Sequence, residues 1–241
     1  MTIAYFITFA HPDATLDDAD FRRLAALLAE TPELGKAAIF TPARTHDPYL
    51  HDGAPPPLVL QLYFADIAHL EAALAAGGHL HALADAATLP SLAGARVTQQ
   101  AMLTRRYPVP EPVRRTPEDA PHCTYLVAYE CEAEDLNAWL RHYVTSHPPI
   151  MARFPGIREI EVYTRIDWIC AMPWPREDAM QRNKVVFDDE AALHRALNSE
   201  VRHEMRADFH RFPPFSGRNT HYPMHTRLVT PGGRSPGSDR G

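Results

Sequence analysis

Arg96-Val-Thr-Gln-Gln-Ala-Met-Leu-Thr-Arg105 and Arg218-Asn-Thr-His-Tyr-Pro-Met-His-Thr-Arg227 are one stretch written twice. Arg96, Thr98, Met102, Thr104 and Arg105 coincide with Arg218, Thr220, Met224, Thr226 and Arg227 at a separation of 122 residues. Working towards the N-terminus, one residue of slippage gives a separation of 123. At that spacing Gly94 pairs with Gly217, Pro90 with Pro213, Asp85 with Asp208, Leu70 with Leu193 and Phe64 with Phe187. The openings also correspond, Ala4-Tyr-Phe-Ile-Thr-Phe-Ala10 with Thr124-Tyr-Leu-Val-Ala-Tyr-Glu130. Identities in the same order with a single gap imply an internal duplication.

Each copy has the same alternation of patterns. A short aromatic and β-branched run (Ile3–Phe9; Thr124–Tyr129) predicts a strand. Apolar residues at helical spacing follow, at Asp20–Glu30 and from Leu136 to Phe154. Pro148 and Pro149 predict a kink or break in the second of these helices. Two strands come next, then a helix capped by Asp66 or Asp189, then a final strand. The order βαββαβ, twice, predicts an α+β chain of two tandem ferredoxin-like domains whose sheets face each other as an intrachain pseudo-dimeric α+β barrel. The expected boundaries are residues 1–107 for the first copy and 122–229 for the second. Between them, residues 108–121 form a semi-rigid Pro-rich linker, and residues 230–241 form a disordered tail.

With 24 Lys and Arg against 30 Asp and Glu, the net charge of −6 argues against nucleic acid as a partner. No apolar run approaches the roughly 18–20 residues of a membrane span. The three cysteines lack metal-type spacing and read as reduced thiols, and no signal peptide opens the chain. The expected setting is the cytoplasm, with a small acidic molecule as partner, no membrane, and a homodimer allowed.

Trp139-x-x-His142-x-x-x-x-His147-Pro-Pro-Ile150, then Phe154-Pro-Gly156 and a Tyr-bearing strand, with Ala207-Asp208-x-x-x-Phe212 further on, resembles the EthD-like branch of the dimeric α+β barrel superfamily. The resemblance covers most of residues 122–228. It implies one site, in the second copy, because the first copy has Leu24 or a neighbour where the second has His147. Superfamily members include cofactor-free isomerases, cyclases, small monooxygenases and some haem enzymes, so the site has to decide the function.

His147 is the candidate general acid or base, since an imidazole titrates near working pH. His142, about 140° away around a helix, is not expected to share its face. Arg141 and Arg153 are candidate carboxylate clamps. On the last strand, His221, Tyr222 and His225 stand where the first copy has Gln99, Gln100 and Leu103, polar gains beside Arg218. His221 and His225 fall on one strand face, Arg218 and Tyr222 on the other. Tyr129 stands where the first copy has Phe9, which makes its hydroxyl a new feature. The expected catalytic set is His147 with Tyr129 or Tyr222, and the expected substrate-binding set is Arg141, His142, Arg153, Arg218, His221 and His225. No metal and no cofactor is expected: no His-Glu-x-x-His, Cys-x-x-Cys-His or Gly-rich phosphate loop occurs. These parts predict a cofactor-independent isomerase moving protons on a hydroxymuconate- or lactone-type acid from aromatic-ring catabolism, in a hollow between the two sheets. Methyl-ester hydrolysis and non-catalytic ligand binding are the alternatives, and oxygenase or haem activity ranks below them.

Overall fold

The computed structural model describes residues 2–232 except His46, Glu118 and Asp119, and leaves the side chain of Cys131 undescribed. Most of the tail expected to be disordered therefore lies outside the described residues. The first half runs β1 (Ile3–Ala10), α1 (Asp18–Ala29), β2 (Leu34–Pro42), β3 (Leu58–Phe64), α2 (Ile67–Leu74) and β4 (Arg96–Tyr107). The second runs β5 (His122–Ala133), α3 (Leu136–Met151), β6 (Ile157–Arg165), β7 (Gln181–Phe187), α4 (Glu190–Leu197), α5 (Glu200–Phe209) and β8 (Phe215–Val229). Aspartates begin the first four helices: Asp17, Asp66, Asp135 and Asp189 each accept a hydrogen bond from a first-turn amide. No helix among the described residues is long and apolar enough to cross a membrane.

All eight strands close into one antiparallel barrel in the order β1-β3-β2-β8-β5-β7-β6-β4. The seams between the halves are β2 against β8, with Ile39 opposite Arg227, and β4 against β6, with Thr104 opposite Tyr163. Closure within one chain leaves no sheet edge that a second copy must cover. Strand alternation then sorts the side chains. Phe6, Phe40, Tyr63, Met102, Tyr163 and Met224 fill the barrel interior. Tyr125, Val127 and Tyr129 of β5 point the other way and pack with Trp139 and Tyr143 under the helices. The middle of the space between the facing sheets is thus packed, one end of it opens as a hollow lined by Thr8, Thr98, Glu130, Arg218 and Tyr222, and a second cavity lies between the second half's helices and the outer face of its sheet.

A buried ionic network spans the barrel. Lys184 Nζ lies 2.9 Å from Glu159 and 3.2 Å from Glu161, and donates to the Tyr63 hydroxyl at 2.9 Å. Tyr63 and Tyr163 in turn donate to Glu161 at 2.5 and 2.7 Å. Burial alone would raise the Glu161 carboxyl, but the Lys184 ammonium and the two hydroxyls override it and hold it at about 2. A carboxyl depressed in the fold stabilises above its unfolded value, and that stability is lost as pH falls towards the folded value. Acid unfolding followed by circular dichroism is expected to draw on Glu161 between about 4.5 and about 2. Lys184→Met, which takes the buried ammonium from Glu161 and leaves it Arg106 and the two hydroxyls, should cost about 3 kcal/mol in urea denaturation.

Helix α3 corrects the expected break: it continues through Pro148 and Pro149. A proline at 148 removes the amide that would bond to the Val144 carbonyl. The Tyr107 hydroxyl at the end of β4 supplies the missing donor at 3.1 Å.

Candidate active site

Helix α3 presents Trp139, Tyr143 and His147 at four-residue spacing to the sheet, all buried. Trp139 stacks on Tyr143, with ring centroids 5.2 Å apart, and Tyr143 lies 4.9 Å from His147. Phe212 packs its edge against the imidazole at 5.1 Å. The ring is therefore fixed by aromatic walls on two sides.

Asp208 of α5 sets its chemistry. His147 Nδ1 is 2.8 Å from Asp208 Oδ2, and the carboxylate is 1% exposed. Burial pushes the imidazole below its ordinary value, and Asp208 opposes that only in part, so the ring is neutral near pH 7. A carboxylate only accepts, so the proton sits on Nδ1 and the lone pair on Nε2. Among the described residues Nε2 has no hydrogen-bond partner, and the ring borders a cavity. That is the arrangement of a positioned general base.

The cavity holds about 200 Å³. Its inner wall is apolar, formed by Tyr129, Tyr143, Met151, Phe154, Val185 and Leu197. Half-buried Leu50 and Arg206 and exposed His210 mark its mouth. Asn183, whose amide donates to the Tyr143 hydroxyl at 2.7 Å, and Asn219 add polar points to the lining.

The first half supplies the cover. The segment between β2 and β3 brings in Asp47, whose Oδ2 accepts from the Tyr125 hydroxyl at 2.7 Å and from Arg202 of α5 at 3.1 and 2.7 Å. Asp52 from this segment accepts from His221 Nδ1 at 2.8 Å. The exchange is reciprocal. Pairing places Tyr5 and Gln99 of the first half where the second has Tyr125 and His221. There the segment after β6 fills the space: Trp168 and Met172 are buried in the first core, and Gln99 donates to the Trp174 carbonyl at 2.6 Å. In the second half the corresponding space is open as the cavity.

Three of the expected site residues, His147, Tyr129 and His221, line this cavity. His142 does not line it, yet its Nε2 reaches Asp208 Oδ1 at 3.2 Å, so the two histidines share a carboxylate although they do not share a helix face. The remaining expectations are corrected. Tyr222 falls on the barrel-facing side of β8, one residue out of phase with His221, and takes a hydrogen bond from Arg218 at 3.1 Å. Arg218 itself is exposed at the barrel mouth. Arg141 is exposed, and Arg153 spends its charge on Glu204 at the surface. His225 is exposed and pairs with Glu190 at 2.6 Å. The residues that sequence reasoning missed are Asp208 as a functional group, Asp47, Asp52, Arg202 and Arg206. Of these, only Asp208 carried a signal, as part of the motif quoted above.

Among the described residues no cluster of three or more His, Cys, Asp or Glu is placed to hold a metal ion. An imidazole with one bare nitrogen in an apolar pocket is what a haem iron takes. A haem macrocycle is nevertheless several times the size of a two- or three-ring aromatic and exceeds a cavity of about 200 Å³, so these residues do not fit a haem.

No family model and no curated protein matches this sequence. Solved structures do match in fold along nearly the whole chain. An anthrone oxidase-like protein superposes with a TM-score of 0.62 at 10% identity, over 96% of this chain and 94% of that one. A protein named as a monooxygenase from Fusobacterium nucleatum gives 0.56 at 8% identity, over 97% and 95%. Another so named, from Lactobacillus acidophilus, gives 0.51 at 12%, over 95% and 97%. The expectation of a cofactor-independent isomerase, with esterase and non-catalytic binding beside it, is overturned here. The similar folds are named for oxygen chemistry, and the arginines meant to clamp a diacid lie outside an apolar cavity. What the chain shares with these proteins is the α+β fold with its closed antiparallel barrel.

Proposed function

We propose that the chain is an oxygenase that oxidises an acidic methylene of a small fused-ring aromatic ketone or phenol to a ketone. The observation that carries this reading is the buried His147, tied to Asp208 through Nδ1, with no hydrogen-bond partner on Nε2 among the described residues and its ring lining an apolar cavity. The names of the similar folds, an oxidase-like protein and monooxygenases, agree with it.

In this reading His147 Nε2 takes a proton from a C–H conjugated with the substrate's carbonyl, and Asp208 stabilises the imidazolium that forms. The hydroxyl of Tyr143 and the amide of Asn219 are lining groups that can donate to the developing enolate oxygen. The electron-rich carbanion then reduces O₂, a carbon–oxygen bond forms, and the resulting hydroperoxide loses water. The balance is CH₂ + O₂ → C=O + H₂O. One oxygen atom enters the product, the other leaves as water, and all four electrons come from the substrate.

The same proposal takes the halves as tandem ferredoxin-like copies, residues 1–107 and 122–229 joined through 108–121, with the working site in the second. The EthD-like assignment rests on the residue pattern around His147 and Asp208. An oxygen electrode with anthrone, hydroxylated anthrones and tetralones tests the function. Uptake of one O₂ per substrate, with one ¹⁸O from labelled gas in the product ketone, is the expected result. Uptake no faster than in buffer across the series, or label found only in water, overturns it.

A further inference from the structure

The guanidinium and the two imidazoles deep in the cavity each face a carboxylate. His147 has Asp208 at 2.8 Å, Arg202 has Asp47 at 2.7 Å, and His221 has Asp52 at 2.8 Å. Two lining groups at the mouth break this pattern. Arg206 of α5 and His210, one turn further along the same face, pair with no carboxylate among the described residues.

Arg206 is nonetheless held in place. Its guanidinium lies over the Tyr49 ring, 5.0 Å from the centroid, and the Tyr49 hydroxyl sits 3.4 Å from His203 Nε2. An aromatic face orients a guanidinium without neutralising it. The neighbouring carboxylates are taken: Glu204 by Arg153, and Asp208 by His147, His142 and Arg211. Directly inside the mouth the walls turn apolar, with Met205, Phe209 and Leu197. An oriented, half-buried guanidinium beside apolar walls binds a carboxylate more strongly than one in open water does.

We infer that the substrate carries one carboxylate at the outer end of an apolar aromatic body, seated on Arg206 with His210 beside it while the ring system fills the cavity down to His147. This inference rests on the cavity being the substrate site. It moves the anion anchor from Arg141 and Arg153 to a residue that the last turns of α5 place at the mouth.

The test uses 2-naphthoic acid and 2-naphthamide, which differ in charge and share a ring system, titrated into the full chain by calorimetry. On the wild type the acid is expected to bind about tenfold tighter than the amide, the scale of one charge-assisted hydrogen bond. Arg206→Gln should remove that difference while leaving the amide's affinity unchanged, and Arg206→Lys should keep part of it. Equal affinity of acid and amide for the wild type overturns the inference alone. An equal loss of both ligands in Arg206→Gln also does, because it assigns Arg206 to packing. Failure of both ligands to bind the wild type removes the inference together with the reading of the cavity.

Discussion

His147→Ala is expected to lower kcat for oxygen-dependent turnover about 10²–10⁴-fold, the usual contribution of a positioned general base. The imidazole is 5% exposed and lines the cavity, and Nε2 is its basic atom because Nδ1 is held by Asp208. The loss should fall on kcat, with KM changing far less, because the ring is one small part of an aromatic wall. His147→Gln serves as a size-matched control and should be as slow. Neither change orphans Asp208, since His142 at 3.2 Å and Arg211 at 3.3 Å still hold its carboxylate. In the wild type, kcat/KM should climb with pH through an inflection below 6.5, because burial depresses the imidazole and only the neutral ring accepts a proton. An alanine variant with wild-type kcat would remove His147 from the chemistry.

Asp208→Asn is expected to cost about 10²-fold in kcat, the lower end of the same range. Two effects act in one direction. An asparagine amide can donate to Nδ1, which would move the ring proton to Nε2 and take away the base. Loss of the carboxylate also leaves burial unopposed, so the imidazole falls further and the acid limb of the pH profile moves to lower pH. That displaced limb is a readout that a merely structural role for Asp208 would not move. Stability should drop by about 1.5–3 kcal/mol, the scale of hydrogen bonds to a charged group. Unchanged kcat with an unshifted limb would assign Asp208 to packing alone.

The recurring sequence pattern made the fold readable. Strand and helix patterns recur in both copies, and Asp66 and Asp189 mark helix starts through chemistry that needs no tertiary partner. Pro148 misled because the compensating donor, Tyr107, comes from a distant strand. At the site, what α3 carries was legible: Trp139, Tyr143 and His147 share a face by helical spacing alone. The rest depended on contacts that no local pattern encodes. Asp47 and Asp52 sit in a Pro-rich segment of the other half and reach Tyr125 and His221 only because β2 pairs with β8. Alternation already put Tyr222 and His221 on opposite faces of the strand, but which face meets the cavity depends on the helices packed there. Arg141 and Arg153 had the right chemistry, but both lie exposed to solvent.

Proton abstraction by His147 is the step on which the other conclusions depend, and it can be watched without oxygen. In anaerobic D₂O, nuclear magnetic resonance follows the loss of the substrate's acidic methylene protons as deuterium replaces them. Wild-type protein is expected to speed this exchange well above buffer, and His147→Ala to return it to the buffer rate. Enzyme-catalysed exchange that persists in His147→Ala would contradict the assignment of the base, and no acceleration by the wild type would contradict the mechanism as a whole.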